Sequence, residues 1–436
     1  MLLDVDLKST LPEFKDIQVT PDYLHIQKLV TDRESLIFVT GGAGTGKSTL
    51  IRWLMHAFKG MVLLGAPTGI AAINIGGKTL HSLCMLPPAW VLPSDIKIAY
   101  RNKEVRKAKI LIIDEISMVN PNILDAVDLF FRKNRSNDAP FGGLIVIVVG
   151  DLYQLPPVVN KSMHKMFMKF YEGSRFYNAA CFSSNEYKVV VLRKIFRQKD
   201  DVFINLLTNV REGLDLKNTI STLNATCRIT NEVIEGAVRL CPRNAEVSAY
   251  NMNCLDDISM DEYVFEGEIK GVFKQDNLPA PYELCLKIGA QVMFTQNDVH
   301  KLWINGTVGV VTSLKDDVIE VQLTECGTKV EVSKATWENF SYSWNEKLHE
   351  IERVVTGSYT QFPLVLAWAL TIHKSQGKTI SKVHLDLGSG AFETGQTYVA
   401  LSRCPTLQGI SLSRGIERSD IKLDQEIIKF YKECIK

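Results

Sequence analysis

Leu36-Ile37-Phe38-Val39-Thr40 runs directly into Gly41-Gly42-Ala43-Gly44-Thr45-Gly46-Lys47-Ser48. The first five residues are apolar or β-branched, which predicts a short buried strand. The next eight match the phosphate-binding loop GxxxxGK[ST] at every position. Its glycines let the backbone curl until N–H groups face phosphate oxygens, Lys47 reaches the β- and γ-phosphates, and Ser48 offers a hydroxyl to magnesium. Gly42, Ala43, Gly44, Thr45, Gly46, Lys47, Ser48 and Thr49 are therefore the expected nucleotide-binding residues. Beyond the loop, Leu50, Ile51, Leu54, Ala57 and Phe58 share one helical face, and Gly60 stops the helix. Strand, loop and helix in this order aim a helix N-terminus at an anion.

Two further apolar runs extend the pattern. Ile110–Ile113 predicts a strand that ends in Asp114-Glu115. A carboxylate leaving an apolar strand tip beside phosphates is where a magnesium-holding residue belongs, which nominates Asp114. Glu115 is placed to orient or deprotonate the attacking water. Residues 143–149 predict a third strand, followed by Gly150-Asp151 and Gln154-Leu155-Pro156-Pro157-Val158. Gln154 is either a sensor of the γ-phosphate or a plain loop residue. Three strands with polar ends suit a parallel α/β sheet holding its ligand at the carboxyl ends.

At 436 residues the chain has room for two or three domains. No basic, apolar and small-residue series opens the sequence as a signal peptide would, and no run reaches the length of a membrane helix. The nine cysteines are scattered without CxxC pairs, which predicts neither zinc nor a disulfide framework and fits a cytoplasmic protein. With 50 basic and 49 acidic residues the charge is balanced. It lacks the basic excess of a simple nucleic-acid-binding domain, so partners have to be read from motifs.

The motifs continue in order. Ala66-Pro67-Thr68-Gly69-Ile70-Ala71-Ala72 leads to Ile75-Gly76-Gly77-Lys78-Thr79-Leu80-His81-Ser82. Then come Asp114-Glu115-Ile116-Ser117-Met118, Pro140-Phe141-Gly142-Gly143, Gly150–Val158 and Phe196-Arg197-Gln198. The second half carries Leu286–Met293, Asn305-Gly306, Gln361-Phe362-Pro363-Leu364, Thr371-Ile372-His373-Lys374-Ser375-Gln376-Gly377 and Tyr398-Val399-Ala400-Leu401-Ser402-Arg403. Together these resemble the superfamily-one DNA helicases of the Pif-one (petite integration frequency) family. The segment Asp125–Lys133 sits where that family carries its own signature.

The resemblance implies an α/β chain of two RecA-like ATPase lobes. The first is expected over 1–191, with a wedge-like insertion at 83–107. The second is expected over 192–311 and 357–436, with an SH3-like β-barrel inserted at 312–356. ATP and magnesium are the implied cofactors. Arg197 and Arg403 are the implied γ-phosphate arginines of the second lobe, with Gly377 near the nucleotide. Gln27, in a helix-like segment over Asp22–Thr31, is either the adenine contact or a solvated helix residue. Thr68, His81, Thr371, His373 and Lys374 are the implied single-strand contacts, His81 and His373 being alternatively core histidines. Trp90, between prolines in the 83–107 insertion, either offers an apolar face at a DNA fork or packs that loop onto the lobe. Trp337, Phe340, Tyr342 and Trp344, near Lys334 and Lys347, either grip DNA or fill the small barrel.

The implied activity is ATP-dependent 5′→3′ unwinding of duplex and forked DNA from a single strand, extending to G-quadruplexes and RNA–DNA hybrids. A monomer in replication, repair, recombination and telomere maintenance is expected. Three rivals remain: a P-loop phosphotransferase, an ATP-switched remodeller, and a RecD-like subunit of a nuclease complex. DNA-independent ATP turnover marks the first, a missing catalytic acid or arginine the second, and failure to unwind alone the third.

Overall fold

In the computed structural model, described residues run from 18 to 435 except 89, 99–102, 158, 160, 233, 235, 272, 274–277, 297, 299–301, 304–306, 325 and 346–349. At 70, 73, 74, 103, 161, 162, 338–345 and 350–356 only the backbone is described. Asn305-Gly306, Val158 and Lys347 lie outside the described residues, as do the side chains of Phe340, Tyr342 and Trp344.

The chain divides into two compact units. The first comprises residues 1–219, 393–402 and 421–436, the second residues 220–392 and 403–420. Residues 192–219 thus join the first unit, where the motif order placed them in the second lobe. The reason is a strand pairing described below.

The first unit opens with α1 (Pro21–Thr31), started by Thr20, whose hydroxyl accepts the Tyr23 N–H, and by Pro21 in the first turn. β1 (Leu36–Gly41) is buried along its whole length, as a central strand covered on both faces must be. α2 (Lys47–Ala57), β2 (Val62–Ala66), α3 (Gly69–Asn74), β3 (Lys78–Thr79), α4 (Leu80–Cys84) and α5 (Lys103–Lys107) follow. β4 (Ile110–Ile113) leads to α6 (Pro121–Arg135), β5 (Ile145–Gly150), α7 (Lys161–Tyr171), α8 (Ala180–Ser183), β6 (Lys188–Leu192) and α9 (Asp201–Glu212). The six strands form a parallel sheet in the order β3-β2-β4-β5-β1-β6. β5 starts two residues later than its apolar run because Gly142 and Gly143 turn at φ +63° and +74°. Ile37 and Val39 of β1, Leu50 and Leu54 of α2, and Ile112, Ile147 and Val149 share one core. β6 pairs with β1, Gly41 opposite Leu192, so the chain leaving β6 stays with this unit.

α10 (Leu216–Thr226) spans the division, and the second unit begins with β7 (Arg228–Ile229), β8 (Val238–Cys241) and α11 (Asn244–Asp256). Strands β9 (Tyr263–Glu266), β10 (Glu268–Gly271), β11 (Glu283–Leu286), β12 (Gln291–Phe294), β13 (Val308–Leu314), β14 (Val318–Leu323), β15 (Lys329–Ser333), β16 (Ala335–Asn345), β17 (Glu350–Gln361) and β18 (Leu364–Leu366) come next. The chain continues with β19 (Ala369–Thr371), α12 (Ile372–Ser375), β20 (Val383–Leu385), α13 (Gln396–Leu401), β21 (Ile410–Leu412) and α14 (Gln425–Cys434). By contacts, α13 and α14 belong to the first unit.

The second unit's own parallel sheet runs β19-β8-β20-β21-β7. Its strand-rich part begins at Tyr263, well before the expected insertion. Among the described residues it forms an antiparallel sheet β15-β14-β13-β12-β18, a three-stranded sheet β10-β17-β16 and the pair β11-β9, with no closed barrel. Gln361, fully buried, pins these pieces: its Nε2 donates to the Phe265 and Tyr282 carbonyls, and its Oε1 accepts the Phe362 N–H. No helix among the described residues is long and apolar enough to cross a membrane.

Candidate active site

The loop Gly41–Gly46 leaves the carboxyl end of β1 and enters α2. Gly46 stands at φ +84° and gives α2 no side-chain cap, so the helix's first N–H groups are left for an anion. Gly44 also has positive φ, and a Cβ there would lie 2.5 Å from that of Arg197. Lys47 folds back, its Nζ donating to the Gly41 and Gly42 carbonyls at 2.8 and 2.9 Å. Burial lowers its pKa against the pull of Asp151, Glu115 and Asp114. Ser48 is exposed and Thr49 half-buried at the start of α2.

Parallel register aligns the carboxylates with the loop. Thr40 of β1 pairs with Gly150 of β5, and Ile113 of β4 with Val148. Asp114 and Asp151 therefore leave neighbouring strand ends beside Gly41. Asp114 is buried and accepts the Glu115 N–H at 2.9 Å. Burial, then the Glu115 carboxylate, pushes its pKa up to about 7. Glu115 sits in the left-handed region at φ +48°, a conformation costly for a side chain with a Cβ. Gln154 is buried, with Nε2 3.4 Å from Asp151 Oδ2.

Arg197, expected on the second lobe, lies in the compact unit that holds the loop. Straight after β6 the chain crosses the loop, and the Phe196 N–H donates to the Gly44 carbonyl at 2.8 Å. Arg197 Nη1 donates to the Ser402 carbonyl at 3.1 Å. Gln27 lies half-buried on α1, its own carbonyl accepting the Thr31 hydroxyl. The α1 side chain that touches the loop is Tyr23, whose hydroxyl donates to the Gly46 carbonyl at 2.8 Å.

Three residues without an assigned role complete this corner. Arg211 of α9 forks onto Asp151, Nη2 at 3.0 Å and Nε at 3.2 Å. The Tyr398 hydroxyl of α13 lies 3.1 Å from Asp151 Oδ2 and 2.7 Å from the Ala43 nitrogen. Asp151 and Tyr398 stand inside motifs legible in the sequence. Arg211 has no such signal, being one cation in an amphipathic helix.

The expected strand contacts fall on both units. Thr68 caps the start of α3 by accepting the Ala71 N–H. His81 is half-buried on α4, its pKa lowered by burial. Trp90 packs against Phe167, Phe170 and Tyr171 of α7, ring centroids 5.1–5.9 Å apart. In the second unit Thr371 is buried and caps α12, Lys374 is exposed, and the His373 ring lies 6.5 Å from that of Phe392. Gly377 follows α12 at φ +78°. Arg403 is 1% exposed and donates to the Ser375 and Lys378 carbonyls that flank Gly377. Trp337 stacks on Tyr359 at 5.7 Å, in keeping with a packing role.

Residues 22–219 match the family model of PIF1-like helicases. The chain is 34% identical to an ATP-dependent DNA helicase Pif1 of Bdellovibrio bacteriovorus, over 96% of this chain and 92% of that one. It is 32% identical to human ATP-dependent DNA helicase PIF1, over 98% of this chain but 65% of the human protein. Among solved structures, Bacteroides Pif1 bound to ssDNA matches with a TM-score of 0.77 at 38% identity, covering 96% of this chain and 97% of that one. Pif1 from Candida albicans matches with a TM-score of 0.78 at 32% identity, covering 96% and 99%. The parallel sheets flanked by helices thus match the RecA-like architecture of those helicases.

Proposed function

Because this chain belongs to the PIF1-like helicase family and is an ATP-dependent DNA helicase, we propose that it loads on single-stranded DNA and moves along it 5′→3′, opening duplex and forked DNA. What carries the proposal is the group gathered at the carboxyl ends of β1, β4 and β5: the loop with Lys47, the Asp114 and Glu115 carboxylates, Gln154 and Arg197. Similarity to the structure of Bacteroides Pif1 bound to ssDNA and to a structure of Pif1 helicases unwinding at forked dsDNA supports the substrate.

In this proposal ATP lies with its phosphates over the α2 N-terminus. Lys47 exchanges its two carbonyl partners for β- and γ-oxygens, and Glu115 orients the attacking water. Gln154, Arg197 and Arg403 meet the γ-phosphate, and Gly377 lies near the nucleotide. Magnesium fits the donors present: a carboxylate whose charge is disfavoured first by burial and then by the neighbouring Glu115 is one a cation would stabilise, and this ion needs only one or two protein ligands beside phosphates. Ser48 and Asp114 would hold it, and once bound it neutralises charge on the phosphates. Thr68, His81, Thr371, His373 and Lys374 are the proposed strand contacts, positioning the backbone without reading sequence. Segment 83–107 is the proposed strand separator and 312–356 an SH3-like element. The proposed substrate range extends to G-quadruplexes and RNA–DNA hybrids, and the active form is a monomer serving DNA replication and repair.

The test is strand displacement on duplexes with a 5′ or a 3′ single-stranded tail, with and without ATP, beside a Lys47→Ala variant. Only the 5′-tailed substrate with ATP should open. Lys47→Ala should turn over ATP at under about a tenth of the parental rate, a barrier rise above roughly 1.4 kcal/mol, and still bind the strand. Preferential opening from 3′ tails would overturn the direction.

A further inference from the structure

Asp151 follows β5 directly and has 0% exposure. A buried carboxylate persists only when its lone pairs are met, and here four residues meet them. Arg211 forks onto it, Tyr398 and Gln154 approach from their side chains, and the Tyr153 N–H donates at 3.2 Å. Burial works against its charge, and Arg211, then Lys47, overcome that and hold its pKa below the usual carboxylate range.

An ionised carboxylate only accepts, so the Tyr398 hydroxyl must spend its proton on Asp151. Its oxygen is then free to accept the Ala43 N–H at 2.7 Å. The direction of every bond is thereby set: Ala43 donates to Tyr398, Tyr398 to Asp151, and Arg211 to Asp151. The chain starts on α9 and ends on the phosphate loop itself. Gly42 packs on the same groups; a Cβ there would lie 3.3 Å from the Tyr398 hydroxyl and 3.9 Å from Arg211. Arg211 is itself immobilised, its guanidinium 4.4 Å from the Tyr153 ring centroid and its Nη1 2.6 Å from Glu212.

We propose that Arg211 is a positioning residue for ATP hydrolysis. Through Asp151 it fixes the Tyr398 hydroxyl against the Ala43 N–H and the Gln154 carboxamide beside them, so the loop is set for the γ-phosphate before nucleotide arrives. Preorganised groups of this kind act on the transition state more than on ground-state binding. The proposal rests on the ATPase assignment above and adds Arg211, Asp151 and Tyr398 to it.

The test uses the full chain with saturating oligothymidine, reading kcat and KM for ATP, ADP affinity and melting temperature. Tyr398→Phe removes one oxygen and keeps the ring. Small misplacements near reacting groups cost up to about 100-fold, so its kcat should fall roughly 10- to 100-fold while KM and ADP affinity stay within about threefold. Arg211→Lys keeps the charge but loses the two-pronged geometry, and should fall likewise. Since both act through Asp151, the double variant should be about as slow as the slower single one, not the product of the two. A Tyr398→Phe kcat within about twofold of the parent would overturn the proposal, as would equal losses of kcat and ADP affinity or a multiplicative double variant. A parent without ATP turnover would overturn the underlying assignment and the proposal together.

Discussion

Arg197 and Arg403 illustrate how differently two guanidinium groups can be held. Arg197 lies against the loop at Gly44, with its head on the Ser402 carbonyl of the same unit. Arg403 is buried among carbonyls of the second unit. Truncating Arg197 to Ala keeps the Cβ that packs on Gly44 and removes the charge together with the donor to the Ser402 carbonyl. Turnover should then fall about 1,000-fold, the scale of a transition-state arginine, with ADP affinity little changed because ADP lacks the γ-phosphate. Arg403→Ala should cost turnover as well. It also strips donors from two carbonyls, so a stability loss of about 1–3 kcal/mol is expected, visible as a lower melting temperature. Parallel loss of ADP binding in Arg197→Ala would make that residue a structural support of the loop.

At the scale of elements, α6 organises the 83–107 segment. Asn122 Nδ2 donates to the Val91 carbonyl, and Asn122 Oδ1 accepts the Val91 N–H, at 2.9 and 2.8 Å. Lys133 reaches the Pro93 carbonyl, Asn134 that of Lys97, and Arg135 those of Val105 and Ala108. Asp125 accepts two N–H groups at the start of α8, and Asp128 accepts the Phe141 N–H. The stretch Asp125–Lys133 thus combines a buried apolar face, Ala126, Val127, Phe130 and Phe131, with side chains that hold neighbouring loops, Asp125, Asp128 and Lys133. Trp90 completes the attachment through α7. Trp90→Ala should cost about 1–3 kcal/mol of stability, less than for a fully buried Trp. Asn122→Ala, which unpairs the Val91 backbone, should slow duplex unwinding several-fold more than single-strand-stimulated ATP turnover. Equal slowing of both would remove the segment from strand separation.

For the molecule as a whole, pH sets a measurable signature in the second unit. Burial, with Lys374 nearby, lowers the Lys378 pKa from 10.5 to about 8, and its Nζ lies 3.2 Å from Met293 Sδ. Below pH 8 folded and unfolded chains are both protonated there, and the cost of burying the ammonium is fully present, about 3 kcal/mol by linkage. From pH 8 towards 10.5 the folded chain has released a proton that the unfolded chain retains, so stability rises with pH. Lys378→Met should accordingly raise the urea midpoint at pH 7, and its advantage over the parent should shrink by pH 10. An advantage independent of pH would mean the lysine is neutral or solvated throughout.

The sequence alone made a phosphate-binding loop legible at residues 41–48. Glycines, a lysine and a hydroxyl at fixed local spacing specify such a loop, because loop, strand and helix are adjacent in the chain and their periodicities are read over a few residues. The ordered motifs carried the α/β class and the helicase family in the same way. Tertiary structure decided what depends on distant segments meeting. Arg197 joins the loop's own unit because β6 pairs with β1, and Arg211 finds Asp151 across 60 residues of chain. Tyr398 closes onto Ala43 from 355 residues away. It decided, too, that the described strands from Tyr263 to Leu366 are divided among several sheets, since alternation marks a strand but not its partners. A local pattern states what a residue can do; only the packing of remote elements decides which group it does it to.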